Sequence, residues 1–479
     1  MTLLPNLSWP LRRRALAPLL AAGLLAACAS PLPPANSLPP IVFVHGNGDT
    51  AALWTPTLWR WQSNGWPRER LHAVDFSYPL ARDDNTAAQE GRSSTDDQLR
   101  QLAAEIDQVL AATGASKVVL IGNSRGGNAI RNYLAGGSGS NGGAAKVSHA
   151  ILGGTPNHGV QANPDSRPNN EFNGAGPFLR GLNAPKGPDG KPLPAGSPGN
   201  EVTPGVRWLT VRSDNNDKYA QPDGLWIGAK GTPTHVTFDG PALKGADNEV
   251  LPGRDHRELS YHPEAFAAAY RFVTGRAPIT DNARHITAEA VVQLSGKVTG
   301  VTAAGPTNLP APGARLAVYA VDASTGVRTA TLWPDQAVRA DGGWGPISTD
   351  ARTPLEFVVQ APGFALAHVY RAPFLRSADT VHLRPERIAD ADRAAGAIVS
   401  FTRPRAYFGK PRDTITLDGQ PAPGIPVGVA GVAVSKILPA DGASRPVVGE
   451  FRSGVINERI VGRVWPARDN HLTVLELHE

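Results

Sequence analysis

An α/β fold, with a doubly wound and mostly parallel sheet followed by one or more all-β, sandwich-like C-terminal domains, is predicted by three observations. The segment 95–114 carries apolar residues at helical spacing and leads into the buried-strand run Val118-Val119-Leu120-Ile121, which turns at Gly122 into a second helical stretch. An earlier β-branched run, Ile41-Val42-Phe43-Val44, ends in the glycine-bearing loop His45-Gly46-Asn47-Gly48. From about His285 the pattern changes to short β-branched runs separated by Gly, Pro and Asp turns. Strands that alternate with helices call for a parallel sheet, whereas short strands at turn spacing call for a sandwich.

The helix over 95–114 starts at Thr95-Asp96-Asp97-Gln98, which reads as a capping box, and stops at Gly114. Leu99, Leu102, Ile106, Val109 and Leu110 form its apolar stripe. The strand that follows ends in Gly122-Asn123-Ser124-Arg125-Gly126. This is G-x-S-x-G, the pattern of a nucleophile elbow, in which a strained strand-to-helix turn exposes a serine hydroxyl and the glycines admit neighbouring backbone. The short pattern recurs by chance; its strand and helix context makes it specific. The loop after Ile41–Val44 can aim an amide at a developing oxyanion, so the backbone N–H groups of Asn47 and Arg125 are expected to form the hole. Taken alone, His45-Gly46 is an ordinary strand-ending turn.

A serine nucleophile needs a base and a carboxylate that orients it, here in the chain order Ser, Asp, His. Val206–Val211 reads as a strand and empties into a polar loop, where Asp217 is the expected acid, Asp214 the alternative and Asp223 a weaker third. An acidic turn after a strand is otherwise plain turn chemistry. His256, in the loop after the strand-like 248–251, is the expected base. His235 reads as part of a strand, and His149 and His158 flank the strand Ala150–Gly154.

These motifs resemble the bacterial lipase branch of the α/β-hydrolase superfamily over about Leu38 to Pro278. Leu152-Gly153-Gly154-Thr155-Pro156-Asn157-His158-Gly159 and Pro177–Asn183 extend the likeness. The resemblance implies ester hydrolysis without specifying the acyl chain. It departs at Asn123, where lipases commonly carry His, and at Arg125, whose long cationic side chain is expected to lie beside the hole and bias leaving-group or acyl preference. A hydrolase followed by β-rich domains also resembles a lipase of a hyperthermophilic archaeon, whose trailing domain is implicated in handling lipid.

The first residues read as an export signal. Leu11-Arg12-Arg13-Arg14 is a basic start, Ala15–Leu24 an apolar core, and Leu25-Ala26-Ala27-Cys28 the pattern at which bacterial lipoproteins are cleaved and lipidated. Cys28 is the only cysteine, so intramolecular disulfides are excluded and a lipid anchor to a membrane surface is expected at that position. Ala29 and Ser30 follow Cys28, with no aspartate to argue for inner-membrane retention, so an outer-membrane lipoprotein is expected, with a periplasmic or secreted form as the alternative. The formal net charge of +5 drops to +2 without the three arginines of residues 1–27, and no basic patch with interleaved aromatics occurs, so nucleic acid is not an expected partner. No metal-ligand spacing appears and no cofactor is expected.

The expected domains are a signal peptide 1–27, a linker 28–37, the hydrolase 38–278, a prealbumin-like β-sandwich 285–390, and a second small β domain or continuation 398–479. The turn-rich insertion 161–201 sits where hydrolases place caps, with a disordered surface loop as the plain alternative. Phe172, Phe178, Leu179 and Leu182 would line a cap; the cluster Trp54, Trp59, Trp61 and Trp66 is core packing or, less simply, an acyl contact. The expected function is a serine carboxylester hydrolase acting on lipid, with an aliphatic polyester such as polyhydroxyalkanoate as the alternative substrate. An acyltransferase or thioesterase, and a non-catalytic surface-binding lipoprotein, are the competing classes.

Overall fold

The computed structural model describes residues 34–136, 143–194, 196–279 and 286–479, all within one compact unit. The proposed signal segment and Cys28 lie outside the described residues. Six strands, β1 (Ile41–Val44), β2 (Leu71–Ala73), β3 (Val118–Asn123), β4 (Val147–Gly153), β5 (Arg207–Arg212) and β6 (Asp247–Val250), form a sheet in the order β2-β1-β3-β4-β5-β6. Every neighbouring pair is parallel. The helices are α1 (Thr55–Ser63), α2 (Thr95–Thr113), α3 (Arg125–Leu134), α4 (Pro177–Leu182), α5 (Glu258–Tyr261) and α6 (Pro263–Thr274).

The two-residue period of the strands explains the layering. Ile41, Phe43, Val119 and Ile121 point to a core shared with Leu58 and Trp61 of α1 and with Phe266 and Tyr270 of α6. Val42, Val44, Val118 and Leu120 point to the opposite core, shared with Leu102 and Ile106 of α2 and with Ile130 of α3. A sheet covered on both faces is the α/β-hydrolase arrangement expected above. The α2 cap differs by one position from the sequence reading: Ser94 is the N-cap, and its reciprocal partner is Asp97.

Beyond residue 286 the chain is β-rich. Its largest sheet has seven strands, in the spatial order Arg328–Ala337, Arg315–Val321, Leu355–Gln360, Leu366–Arg371, His471–Glu476, Val399–Thr402 and Val434–Ile437. The last strand of the chain pairs in parallel with both Leu366–Arg371 and Val399–Thr402, so a single sheet crosses the 389–397 link.

This part is bonded to the hydrolase layer. Trp59 of α1 is 1% exposed and sits in the β-domain core, its indole N–H donating to Ser377 O at 3.0 Å and its ring set edge-on to Phe374. His382 contacts Asp75 at 2.8 Å, and Asn308 Nδ2 donates to Asp49 O and Phe76 O at 3.0 and 2.9 Å. Trp54, Trp59, Trp61 and Trp66 are all buried core residues. Among the described residues no helix is long and apolar enough to cross a membrane.

Candidate active site

Ser124 stands between β3 and α3 with φ 52° and ψ −123°, a backbone conformation costly for a residue with a Cβ. The turn closes only because its neighbours lack side chains. A Cβ on Gly126 would lie 2.3 Å from Val44 O, and one on Gly122 would lie 2.8 Å from Gly127 N. The Ser124 amide donates to Gly153 O at 3.0 Å, which locks the turn to β4.

His256 Nε2 lies 2.9 Å from Ser124 Oγ, and Nδ1 lies 2.9 and 3.0 Å from the two carboxylate oxygens of Asp217. A proton on Nδ1 donates to Asp217 and leaves Nε2 to accept from the serine hydroxyl. Asp217 and His256 are both 3% exposed, and the edge of Tyr219 packs on the imidazole at a centroid distance of 4.6 Å. Asp217 also accepts from the Tyr219 amide at 2.8 Å. Asp214 is instead occupied with its own turn, accepting from the amides of Asn215 and Gly253 at 2.7 and 2.9 Å. Asp223 accepts from the Leu225 amide at 3.2 Å. His235 is exposed in a loop with φ 58°, not in a strand as expected.

Asn47 lies in the pocket wall beside Ser124, and its side-chain oxygen accepts from the Ala81 amide at 2.8 Å, which fixes the loop after β1. The same loop is held from below by His45. Burial lowers its pKa, and the neutral ring donates from Nδ1 to Gly46 O at 2.8 Å while Nε2 accepts from the Phe76 amide at 3.2 Å. Asn123, where lipases commonly carry His, donates to Ser260 Oγ at 2.9 Å and so ties the elbow to α5.

The expectation for the Arg125 side chain is corrected. It does not lie beside the hole: it is fully buried and donates to Glu171 at 2.6 and 2.7 Å, to Pro79 O at 3.0 Å, and to Ser93 Oγ and O at 3.0 and 2.7 Å. Five acceptors satisfy the guanidinium, and its direction is away from the pocket. Arg131, six residues further along α3, bonds Asn157 O and Asn183 Oδ1 at 3.2 and 2.6 Å. The insertion is thereby fastened to the helix that follows the nucleophile. Within it, Phe172 lines the pocket, while Leu179 and Leu182 are buried away from it.

Four further contributions come from residues that the sequence did not single out. His256 is flanked by Asp255, which accepts from the Tyr407 amide at 2.9 Å, and by Arg257, which donates to Asp49 at 2.6 Å and to Tyr407 OH at 3.2 Å. Glu258 receives Arg403 and Arg412 at 2.8 and 2.7 Å. Tyr407, from the β-rich half, forms part of the pocket wall with Tyr219 and Trp226. The cavity has a volume of about 580 Å³ and contains both Ser124 and His256 on its surface. Among the described residues no group of three or more His, Cys, Asp or Glu is arranged to hold a metal ion.

Residues 38–162 match the family model of lipase (class 2), and residues 290–388 match that of the lipase C-terminal domain. The chain is lipase-like in both halves. The first match takes in β1, β3, the elbow and β4; the second spans the strands from Val292–Lys297 through Leu366–Arg371. No curated protein matches the chain in sequence. The solved structures similar to it include Bacillus licheniformis lipase BlEst2 in its mature form, at 19% identity over 51% of this chain and 95% of that one, with a TM-score of 0.34. The propeptide form of that lipase aligns at 13% identity over 90% of this chain and 94% of the other, with a TM-score of 0.34. Phospholipase PlaB from Legionella pneumophila, in complex with thio-NAD, aligns at 12% identity over 91% and 93% with a TM-score of 0.33.

Proposed function

We propose that this lipase-like hydrolase is a serine carboxylester hydrolase working through Ser124, His256 and Asp217. One observation carries the reading: hydroxyl, imidazole and carboxylate stand in a chain of contacts between 2.9 and 3.0 Å, opening into a pocket large enough for an acyl ester. Ser124 Oγ attacks the ester carbonyl as its proton passes to His256 Nε2. The amides of Asn47 and Arg125 stabilise the oxyanion, with the N-terminus of α3 behind it. His256 then gives the proton to the leaving alkoxide, the acyl group stays on Ser124, and water activated by His256 releases the acid. Asp217 holds the imidazole in the tautomer that this sequence of transfers needs.

Cys28 as the site of a lipid anchor at the outer membrane belongs to the same proposal, resting on the sequence before it. Mass spectrometry of the exported chain tests it: a diacylglyceryl adduct at Cys28 supports the anchor, and an unmodified N-terminus removes it.

The test of the activity compares the chain from residue 35 onward with its Ser124→Ala variant on nitrophenyl esters from acetate to palmitate, on emulsified triacylglycerol and on a polyhydroxyalkanoate film. Turnover that disappears in Ser124→Ala is the expected outcome, and the preferred ester separates esterase, lipase and depolymerase. Equal inertness of both chains would remove the reading in favour of a binding module.

A further inference from the structure

The pocket has two unlike walls. Tyr219, Trp226, Ile227 and Tyr407 form an aromatic and apolar side. To the same lining the loop after β2 and the first part of the insertion supply Arg82, Arg92 and Arg167, with Asp83 the acid among them. Arg257 and Asp49, also in the lining, neutralise each other at 2.6 Å. The Asp83 carboxylate is itself engaged by Gln89 Nε2 at 2.9 Å. Arg82 is paired with Asp97 at 2.9 Å. Arg92 and Arg167 have no carboxylate partner among the described residues; Arg92 spends one N–H on Ala81 O at 2.8 Å, which fixes its guanidinium without neutralising it. A neutral glyceride has no anionic group to pair with such guanidinium ions.

The loop that carries Arg167 has a fixed backbone. Arg167 adopts φ 48°, a left-handed conformation that favours glycine or asparagine over arginine. Its loop is held in that shape by Asn173, 1% exposed, whose side-chain amide donates to Asn163 O, Ser166 O and Arg167 O at 2.8, 3.0 and 3.3 Å. The Asn173 side-chain oxygen accepts from the amides of Asn163 and Ala175 at 3.2 and 3.0 Å. The five hydrogen bonds fix the backbone from which Arg167 extends, while its exposed guanidinium makes no ion pair among the described residues and is left to meet an anion.

We propose that this site selects esters carrying an anionic group, a carboxylate or a phosphate, which Arg167 and Arg92 bind while the acyl chain lies along Tyr219, Trp226 and Tyr407. The assignment rests on the serine hydrolase reading and adds its substrate class. Two matched pairs test it: nitrophenyl hemiglutarate against nitrophenyl pentanoate for a carboxylate, and dibutyryl glycerol phosphate against tributyrin for a phosphate. In at least one pair kcat/KM is expected to favour the anionic member by about tenfold or more, through KM, with the ratio declining as salt is raised. Arg167→Asn keeps the left-handed backbone; this change and Arg92→Gln each pull the ratio towards one.

The pair that shows the preference identifies which anion is read. Preference for the neutral member in both pairs, or a ratio unmoved by Arg167→Asn, overturns the proposal. Calorimetric binding of nitrophenyl hemiglutarate and of dibutyryl glycerol phosphate to the Ser124→Ala chain keeps the two readings apart. Binding that weakens in the Arg167→Asn background supports the anion site even if no ester is hydrolysed, and binding that ignores Arg167 removes it even if esters are.

Discussion

Arg125, the residue after the proposed nucleophile, is held by Glu171 of the insertion through two charge-assisted hydrogen bonds at 2.6 and 2.7 Å, with both side chains at or below 1% exposure. The residue whose amide is proposed to face the oxyanion is therefore anchored by a segment 46 positions away. Removing only the carboxylate strands a buried guanidinium, a change that costs about 3–5 kcal/mol in buried ion pairs. Glu171→Ala is expected to lower the denaturation midpoint accordingly and to reduce kcat more than it raises KM, because the amide loses its fixed direction. Urea unfolding and steady-state kinetics on one ester check both; an unchanged midpoint would mean that the insertion does not brace the elbow.

Asp217 and Asp214 lie in one loop yet differ in what they touch. Asp217 faces His256 Nδ1 through both oxygens, whereas Asp214 is occupied by backbone amides of its own turn and of Gly253. Asp217→Asn presents an N–H where an acceptor is needed and favours the wrong imidazole tautomer, so kcat is expected to drop by about 10⁴-fold. Asp214→Asn is expected to lower stability slightly and to leave kcat within about threefold. Reversal of that order would assign the orienting role to Asp214.

The elbow and the strand ends were legible because each depends on residues within a few positions of one another: a glycine that a backbone must approach, a run of β-branched residues. The choice of Asp217 and His256 as partners of Ser124 rested instead on the chain order Ser, Asp, His and on polar loops that follow strands. The cap of α2 is a local feature too, yet the reading missed it by one position, since Ser94 and Thr95 are both competent hydroxyls and only tertiary placement chooses between them. Tyr407 and Glu171 were not legible. Their roles arise where separate layers meet, Tyr407 lying 150 residues from Arg257, and no spacing in a single sequence encodes which surfaces pack together. The direction of Arg125 failed for a related reason: proximity to Ser124 in the chain says where the backbone is, not that Glu171, Ser93 and Pro79 wait behind it.

Trp59 belongs by sequence to α1 and by packing to the β-rich half, where its ring meets Phe374 and His478 and its N–H reaches Ser377 O. Truncation leaves a cavity the size of an indole at the junction and removes the donor to a half-buried carbonyl. Trp59→Ala is expected to destabilise the chain by about 3–5 kcal/mol, and Trp59→Phe by less because most of the apolar volume is kept. Thermal unfolding measures the difference. If the two layers unfold independently, the loss will appear as a separate early transition of the β-rich half, and a single shifted transition will mean that they unfold together.

His262 and His478 each contribute to the response to acid. Burial pushes each imidazole down to about 3, with His262 serving as the N-cap of α6 through Nδ1 and His478 donating from Nε2 to Ala372 O at 2.9 Å. Both are neutral in the fold and take up a proton with an ordinary pKa near 6.5 when it opens. Their contribution is thus fully present above pH 6.5 and is lost as the pH falls from there towards 3. In that window each adds a slope of about 1.4 kcal/mol per pH unit to the unfolding free energy. His262→Asn keeps a side chain able to accept from the Glu264 amide but cannot be protonated. Between roughly pH 6 and pH 4 the variant should lose stability more slowly than the parent by that one-proton slope, as read from urea midpoints at several pH values. Parallel curves for the two proteins would show that His262 is already protonated in the folded chain.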